Sequence, residues 1–221
     1  MSSTRICRAG RKTGPKPRFT REDVINAAVE LGIDRFTLGA VAAKLGIATS
    51  AMYRLFDSRD ALVDACLAQA AAEIGMIMLD DELPWPELLR NWAETTWNIC
   101  EKYPGLDITI FQYTQSFSHV RGFTQHAMGI LMAQGFARSE ALFALDFIGD
   151  TVLATHIGMS AMRHSPEGMD IVRRTITELS AETLLDNKDH WNAQRGFLDA
   201  KVEFIIAGLR QQLGQRATEK T

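Results

Sequence analysis

A glycine turn between two short helical segments constrains the fold of this chain more than any other feature of its sequence. Thr37 can cap a helix whose apolar face recurs at helical spacing as Leu38, Val41, Ala42 and Leu45. Gly46 then permits the positive φ of a tight turn, and a further short helix is predicted roughly from Thr49 to Phe56, with Met52 in the core. Two short helices joined by about four residues around a glycine are typical of a helix-turn-helix.

The flanking segments complete a small helical head. Thr20 can cap the first helix, with Asp23 at the capping-box position, and Gly32 ends it. Ser58 can cap a long fourth helix that begins at Arg59 and is predicted to reach the mid-seventies. The second helix of such a pair presents its N-terminal residues to base edges in the major groove, so the head predicts DNA binding.

Beyond the head, apolar residues at helical spacing predict helices throughout, with no convincing strand pattern and no internal repeat. The predicted helices cover roughly residues 85–102, 106–117, 119–134, 139–164, 171–185 and 194–213. We therefore predict an all-α fold of about nine or ten helices. The chain divides into a basic arm (1–18), a helix-turn-helix domain (19–66) and a helical body for ligand binding and dimerisation (67–221).

Charge separates the head from the body. Residues 1–60 contain 11 Lys and Arg against 6 Asp and Glu, whereas the remaining residues contain 13 against 21. A basic head favours a polyanionic partner. The arm is basic throughout and contains glycines and prolines that prevent a helix. Lys16 and Arg18 are therefore candidates for contact with the DNA minor groove or phosphates, the alternative being a disordered solubilising tail.

Composition limits the class of protein. Hydrophobic residues make up 46% of the 221, enough for a globular core, and no apolar run predicts a membrane span or a signal peptide. Three widely spaced cysteines form neither a disulfide framework nor a zinc motif, which favours the reducing cytoplasm. The sequence calls for no cofactor or metal.

The run from Thr37 to Leu62, TLGAVAAKLGIATSAMYRLFDSRDAL, closely resembles the signature of the TetR family of transcriptional regulators. The Leu-Gly-Ile turn, the Met-Tyr-x-x-Phe block and the Ser-Arg-Asp-Ala-Leu start of the fourth helix fall at the family spacing. The resemblance covers about residues 19–66. At two positions the chain departs from it: Arg59 replaces the usual lysine, and Ala51 stands where threonine is frequent, which removes one hydroxyl.

The resemblance implies DNA contact for six residues of the head: Thr37, Thr49, Ser50, Tyr53, Arg54 and Arg59. Thr37, Tyr53 and Arg59 would lie at phosphates, the first of them at a helix N-terminus. The two hydroxyl residues that open the recognition helix would face base edges, and Arg54 would reach either a phosphate or a guanine. Taken singly, an exposed tyrosine or arginine is an ordinary solvated side chain, so these assignments depend on the whole block.

Large apolar side chains in the body predict a core, and the resemblance adds a pocket between the central helices. Candidate pocket residues are Trp92, Phe111, Phe117, Met128, Phe147, His156 and Met159. For each aromatic or methionine, ordinary core packing is the competing interpretation. His156, two turns from Asp150, could hold a polar group of the ligand or be a satisfied core or interface histidine.

Two helices are predicted to pair with a second subunit, those near residues 139–163 and 194–213. On the former, one stripe consists of Leu142, Leu145, Gly149, Val152 and Met159, and small residues at 158, 160 and 161 allow a close helix approach. A homodimer is expected because one helix-turn-helix reads too few base pairs, whereas a two-fold dimer reads a pseudo-palindrome.

The expected function is a cytoplasmic repressor that a small, largely apolar ligand releases from its operator. One alternative is a DNA-binding regulator without a small ligand, controlled by a partner protein; an enclosed apolar cavity distinguishes the two. An enzyme is the other alternative, and no GxSxG, P-loop, HExxH or GxGxxG motif supports it.

Overall fold

The computed structural model describes residues 19–76, 80–113, 115–165, 167–183 and 194–219. Within these residues it contains ten α-helices and no β-strand, which confirms the all-α prediction. The helices are α1 (Arg21–Leu31), α2 (Leu38–Leu45), α3 (Thr49–Met52), α4 (Arg59–Met76), α5 (Trp85–Lys102), α6 (Leu106–Gln112), α7 (Ser116–Ala133), α8 (Arg138–Arg163), α9 (Gly168–Thr183) and α10 (Leu198–Glu219). The basic arm, with Lys16 and Arg18, lies outside the described residues.

The first helix begins with the capping box that the sequence predicts. The Asp23 backbone N–H donates to the Thr20 hydroxyl at 3.1 Å, and the Thr20 N–H donates to the Asp23 carboxylate at 2.7 Å. Each side chain thus satisfies a backbone donor that the first turn would leave unpaired. The helix ends at Gly32, whose φ of 95° favours glycine.

The helix-turn-helix is formed by α2, the turn and α3. The Thr37 hydroxyl accepts the Ala40 N–H at 3.1 Å, and Gly46 adopts the left-handed conformation with φ 66° and ψ 32°. Helix α3 is shorter than predicted, because residues 53–55 form a turn instead of a further helical turn. Met52 and Phe56 are nevertheless fully buried, so the core prediction for them is confirmed.

Helix α4 belongs to both the head and the body. Near its start, Leu62 and Val63 are buried against the head, and further along Leu67 and Ala70 join a cluster that includes Ile99 of α5. The boundary predicted at residue 66 therefore falls inside one continuous helix. A helix of this length transmits a displacement at one end to the other, because its backbone hydrogen bonds hold it as a stiff unit.

Helix α8 is the central element of the body, and α5, α6, α7 and α10 all pack on it. Its inward side chains, among them Leu145, Ile148 and Val152, are buried in the main body cluster. By length and composition alone α8 is a candidate membrane span, but a buried core helix passes the same test. Its packing on five neighbouring helices, α9 included, is that of a core helix.

Candidate DNA interface and ligand pocket

The recognition surface is set by the burial of Met52 on one side of α3. That side chain is fully buried, which turns Thr49, Ser50 and Tyr53 to the solvent, and the tyrosine is 55% exposed. Arg54 follows in the turn after α3 and is also exposed. The four side chains that the resemblance assigns to base edges and phosphates therefore share one accessible surface. Their contact with DNA remains a prediction.

Thr37 serves first as the N-cap of α2. Its hydroxyl oxygen accepts the Ala40 N–H, and a hydroxyl that accepts one hydrogen bond can still donate another. The side chain is exposed at a helix N-terminus, where backbone N–H groups and the helix dipole favour an anion. The predicted phosphate contact at Thr37 is compatible with this position.

Arg21 supports the recognition turn, a role that the sequence analysis missed. Its guanidinium donates to the Leu55 carbonyl oxygen at 2.7 Å and lies 4.0 Å from the centre of the Phe56 ring. The contact fixes the turn after α3 against the beginning of α1. A basic residue at an exposed position of α1 resembles any solvated charge in the sequence, so nothing in the pattern singled it out.

Arg59 lies elsewhere than expected. Instead of lying free at the phosphate backbone, its guanidinium is half-buried and donates to the carbonyl oxygens of Ile33, Asp34 and Phe36 at 2.8–3.2 Å. A fourth hydrogen bond, 2.9 Å long, goes to the Tyr113 hydroxyl. Since four of the five donors of the guanidinium are used inside the protein, the structure corrects the prediction: Arg59 joins the α1–α2 loop to the body.

The end of α5 also contacts the α1–α2 loop. The Ile33 N–H donates to the Pro104 carbonyl oxygen at 2.8 Å. Gly105 has a φ of 82°, and a Cβ atom added there would overlap the Asp34 carboxylate and lie 2.9 Å from the Asp34 nitrogen. Only glycine satisfies both the conformation and the close approach. The head and body therefore meet at Gly105 and, on the other side of the loop, at Arg59.

An apolar cavity of about 200 Å³ lies in the body between α4, α5, α6, α7 and α8. Its wall is mostly aliphatic and aromatic, and its lining includes Leu67, Ala70, Ala71 and Ile74 of α4, Trp92, Thr95, Thr96, Ile99 and Cys100 of α5, Ile110 and Phe111 of α6, Phe117, Val120, Phe123 and Thr124 of α7, and Leu142, Leu145, Asp146, Gly149, Asp150 and Leu153 of α8. Concave apolar sites with a few polar groups are the usual form of small-molecule pockets.

Three of the predicted pocket residues line this cavity: Trp92, Phe111 and Phe117. Trp92 stacks on Phe123, with ring centres 5.0 Å apart and planes 10° from parallel. The sequence analysis missed the four α4 residues and both aspartates of α8. The α4 residues are small or aliphatic, so they have no sequence signature that separates a cavity wall from ordinary core.

The other apolar candidates do not line the cavity. Met128 and Met159 are buried in the main body cluster, where their side chains fill core space. Phe147 points to the opposite side of α8 and is 46% exposed. Periodicity identifies apolar residues on a helix, but a helix packed on several sides has more than one apolar face.

His156 is a buried core histidine whose Nε2 makes no hydrogen bond and lies 3.3 Å from the Glu101 carboxylate. Its Nδ1–H donates to the Asp107 carboxylate at 2.6 Å, both side chains are buried, and the ring meets the edge of Trp97. Burial alone would raise the pKa of Asp107, but the hydrogen bonds from His156 and the Ile108 N–H hold the pKa below its ordinary value. The pair ties α6 to α8, and Asp150, the partner considered from the sequence, lines the cavity instead.

Cysteines and metal ligands add no further chemistry to the site. Burial raises the pKa of Cys66 to about 12 and raises that of Cys100 as well, so both thiols remain protonated and unreactive. Within the part of the chain that the structure describes, no group of three or more His, Cys, Asp or Glu side chains could hold a metal ion.

An exposed apolar strip runs along α8 and α10 on the side away from the cavity. We call it the α8–α10 face; it consists of Phe143, Phe147, Thr151, Ala154 and Phe204. Phe204 is 80% exposed. The stripe that the sequence predicts for dimerisation does not form this face, because its members Leu145, Val152 and Met159 are buried inside the protomer. The exposed apolar side chains lie on the two helices predicted to pair with a second subunit, but on a different side of α8, and the pairing itself remains a prediction.

The structure is similar to solved TetR-type regulators. It superposes on TetR from Acinetobacter baumannii AYE with a TM-score of 0.60 and 20% identity, covering 88% of this chain and 98% of that one. A variant of that protein in complex with minocycline gives 0.59 and 19%, with the same coverage. A TetR-type transcriptional regulator from Streptomyces coelicolor gives 0.56 and 18%, over 86% of this chain and 97% of the other.

Sequence comparison identifies the head. Residues 25–66 match the model of the bacterial regulatory proteins of the tetR family, whereas no curated protein matches the chain. The helical fold and the helix-turn-helix head define a DNA-binding transcriptional regulator. The matched segment spans the second half of α1, the helix-turn-helix and the start of α4, so the head matches the DNA-binding part of tetR-family regulators.

Proposed function

We propose that this protein is a homodimeric, ligand-responsive repressor that binds a pseudo-palindromic operator and leaves it when a small molecule enters the body. One observation carries the proposal: α4 packs into the head core through Leu62 and Val63, and its residues Leu67, Ala70 and Ile74 line the cavity. A ligand that displaces the cavity wall therefore displaces an element of the DNA-binding head. We expect the protein to act in the cytoplasm, where operator and effector would both be accessible.

DNA would be read by the exposed side of α3 and the turn after it. Thr49 and Ser50 open the helix and would face base edges, whereas Tyr53 would bind a phosphate and Arg54 a phosphate or a guanine. Thr37, exposed at the start of α2, would add a phosphate contact next to the recognition helix. The Arg21 contact with Leu55 supports this reading, because it holds the turn rigid.

Dimerisation would bury the α8–α10 face. Phe143, Phe147 and Phe204 are exposed on two adjacent helices, and large aromatic side chains in a contiguous patch favour a protein interface. A two-fold axis through this face gives each subunit the same contacts. Two heads held in this way can occupy two half-sites of a pseudo-palindrome.

Ligand binding would cause release from the operator through two connections between body and head, the Tyr113–Arg59 hydrogen bond and helix α4. Ile110 and Phe111 of α6 line the cavity, and Tyr113, which follows them, holds Arg59 at the start of α4. Movement of α6 and α4 around a ligand would shift the spacing of the two heads. The ligand acts by its greater affinity for the shifted state, as any two-state regulator requires.

The cavity favours a small effector over control by a partner protein alone. The solved TetR-type protein that contains minocycline has the same overall fold. A protein of this overall fold can therefore bind a small molecule. The cavity and the similar fold together support a small-molecule effector for this protein.

The experiment is DNA binding to the region just upstream of the gene, measured by fluorescence anisotropy at two salt concentrations. We expect selective binding that weakens steeply with salt, because phosphate contacts release counterions. Tyr53→Phe should lower the affinity about tenfold across sequences, and the double variant T49A/S50A should reduce selectivity. Thr177→Ala, on the exposed surface of α9, is the matched control and should bind like the parent. Equal loss in the control, or no selective binding to any operator fragment, would contradict the proposal.

A further inference from the structure

The cavity contains two aspartates and no opposite charge. Asp146 and Asp150 both lie in its lining, and none of the described residues that line it is a lysine, an arginine or a histidine. The two carboxylates are one turn apart on the same side of α8, a spacing at which like charges repel. Both aspartates are solvent-exposed, so they mark the open side of an otherwise apolar site.

Neither aspartate has a partner among the described residues, which sets this pair apart from its neighbours. Elsewhere in the body, Glu94 accepts from Arg195 at 2.6 Å, and Glu203 accepts from Arg90 at 2.6 Å. Asp146 and Asp150 have no such hydrogen bond or ion pair within the described part of the chain. Burial, with the charge of Asp146, raises the pKa of Asp150, so the negative charge is less favourable there than in water.

Aromatic side chains stand next to the carboxylates. Trp92 contacts the same turn of α8, since a Cβ atom at Gly149 would lie 3.9 Å from the indole nitrogen. Phe123 stacks on Trp92, and Phe111 and Phe117 complete the aromatic part of the wall. The faces of aromatic rings attract cations, most strongly where water is excluded.

We propose that the effector of this protein is an organic cation, an ammonium or similar group on an aromatic or aliphatic skeleton, with its charge at Asp146 and Asp150 and its apolar part against Trp92. The inference rests on the proposed function, because it names the ligand class for the same cavity. An anion would meet two unpaired carboxylates. A neutral ligand would leave their repulsion in place, whereas a cation relieves it and gains from both carboxylates.

The test compares two probes of equal shape, benzyltrimethylammonium and neutral neopentylbenzene, by calorimetric titration of the full chain without DNA. We expect the cation to bind about tenfold more tightly, which corresponds to a modest, solvent-screened gain from two partly exposed carboxylates and the ring faces. The isosteric double variant D146N/D150N should lose this preference. The control E167Q/E178Q changes the net charge equally on the exposed surface near and on α9 and should retain it.

A tighter binding of the cation that is lost in D146N/D150N would support the inference. Equal affinity for both probes, no binding of the cation, or a preference that persists in D146N/D150N would overturn it. The last result would indicate that the aromatic ring faces attract the cation without help from the aspartates. Misfolding is not expected to confuse the result, since the variant removes a repulsive pair; its unfolding temperature is the check.

Failure of this inference differs from failure of the proposed function. Operator binding is measured separately, with no probe present. If the protein binds its operator but shows no charge preference, the regulator remains and the ligand class is wrong. If the charge preference is found without operator binding, the cavity inference holds and the function as a DNA-binding repressor fails.

Discussion

The guanidinium of Arg59 donates a 2.9 Å hydrogen bond to the Tyr113 hydroxyl, which in turn donates to Asp60 at 2.9 Å. Through this relationship the residue after α6 holds the first turn of α4. Because α6 also forms part of the cavity wall, the hydroxyl connects an element of the cavity to the head through hydrogen bonds.

Replacing Tyr113 with phenylalanine tests this connection. The loss of two hydrogen bonds should lower the free energy of unfolding by about 1–2 kcal/mol, since Arg59 and Asp60 each lose a partner. It should also change the operator affinity, because the start of α4 is less firmly held. Chemical denaturation and DNA anisotropy measure the two effects.

Tyr103→Phe is the control for that substitution. The Tyr103 hydroxyl donates to Glu73 at 3.0 Å, a contact between α4 and the end of α5 that does not reach the head loop. This variant should lose a similar amount of stability and leave operator affinity unchanged. If both variants change DNA binding alike, Tyr113 has no special role in the coupling.

Gly105→Ala should destabilise the protein more than a left-handed conformation alone explains. The conformation costs a non-glycine residue about 1–2 kcal/mol. The added Cβ would also overlap the Asp34 carboxylate, and such overpacking costs about 1–3 kcal/mol more. Gly46→Ala has a similar φ and open space around the site, so it measures the conformational cost alone. Equal losses in the two variants, measured by thermal and urea unfolding, would argue against a tight Gly105–Asp34 contact.

Asp107 and Asp150 should respond to neutralisation with opposite signs. The lowered pKa of Asp107 means that its charged form stabilises the fold above the ordinary value of 3.8. Asp107→Asn should therefore cost about 2 kcal/mol near pH 7, because a buried charge-assisted hydrogen bond is lost. The cost should disappear as the pH falls below 3.8 and through the lowered pKa.

Asp150→Asn should do the reverse. Because the pKa of Asp150 is raised, its charge disfavours folding near pH 7, and the substitution should stabilise the protein slightly. The gain should fade as the pH decreases through the raised pKa and vanish below 3.8. Urea unfolding across pH 3–7 measures both variants. Two differences of the same sign at pH 7 would contradict the electrostatic assignment.

Phe204→Asp should convert the proposed dimer to a monomer. A charge in the centre of the α8–α10 face would be buried without a partner on association, whereas in the protomer the side chain is 80% exposed and its loss costs little. Ile171→Asp places the same charge on an exposed apolar position of α9 and should leave the oligomeric state unchanged. Light scattering after gel filtration distinguishes the outcomes. A Phe204 variant that stays dimeric would place the interface elsewhere.

Local features of the head could be predicted because their causes lie within a few residues. The Thr20–Asp23 capping box, the Thr37 cap and the left-handed Gly46 each depend on neighbours three or four positions away. Met52 was predicted as core from its distance to the turn. The resemblance of the head to the TetR signature was therefore specific, and the match of residues 25–66 to the family model agrees with it.

In the body, helical spacing did not predict which side chains line the cavity. Helix α8 is apolar on several sides, and its sequence does not state which side meets the core, the cavity or a second subunit. Met128 and Phe147 were predicted at the cavity for their size, yet one is packed in the core and the other is turned outward. Asp146 was not singled out from the sequence, and Asp150 was considered only as a neighbour of His156, because a carboxylate on a long helix is ordinarily solvated.

The sequence by itself determined the helices, their caps, the helix-turn-helix and the charge difference between head and body, since these follow from spacing and from contacts between near neighbours. Only the tertiary structure decided that Arg59 binds three carbonyl oxygens and a distant tyrosine, that His156 pairs with Asp107, and which side chains enclose the cavity. Such contacts join residues dozens of positions apart. They arise from how the helices pack, and helical periodicity leaves the rotation of one helix against another open.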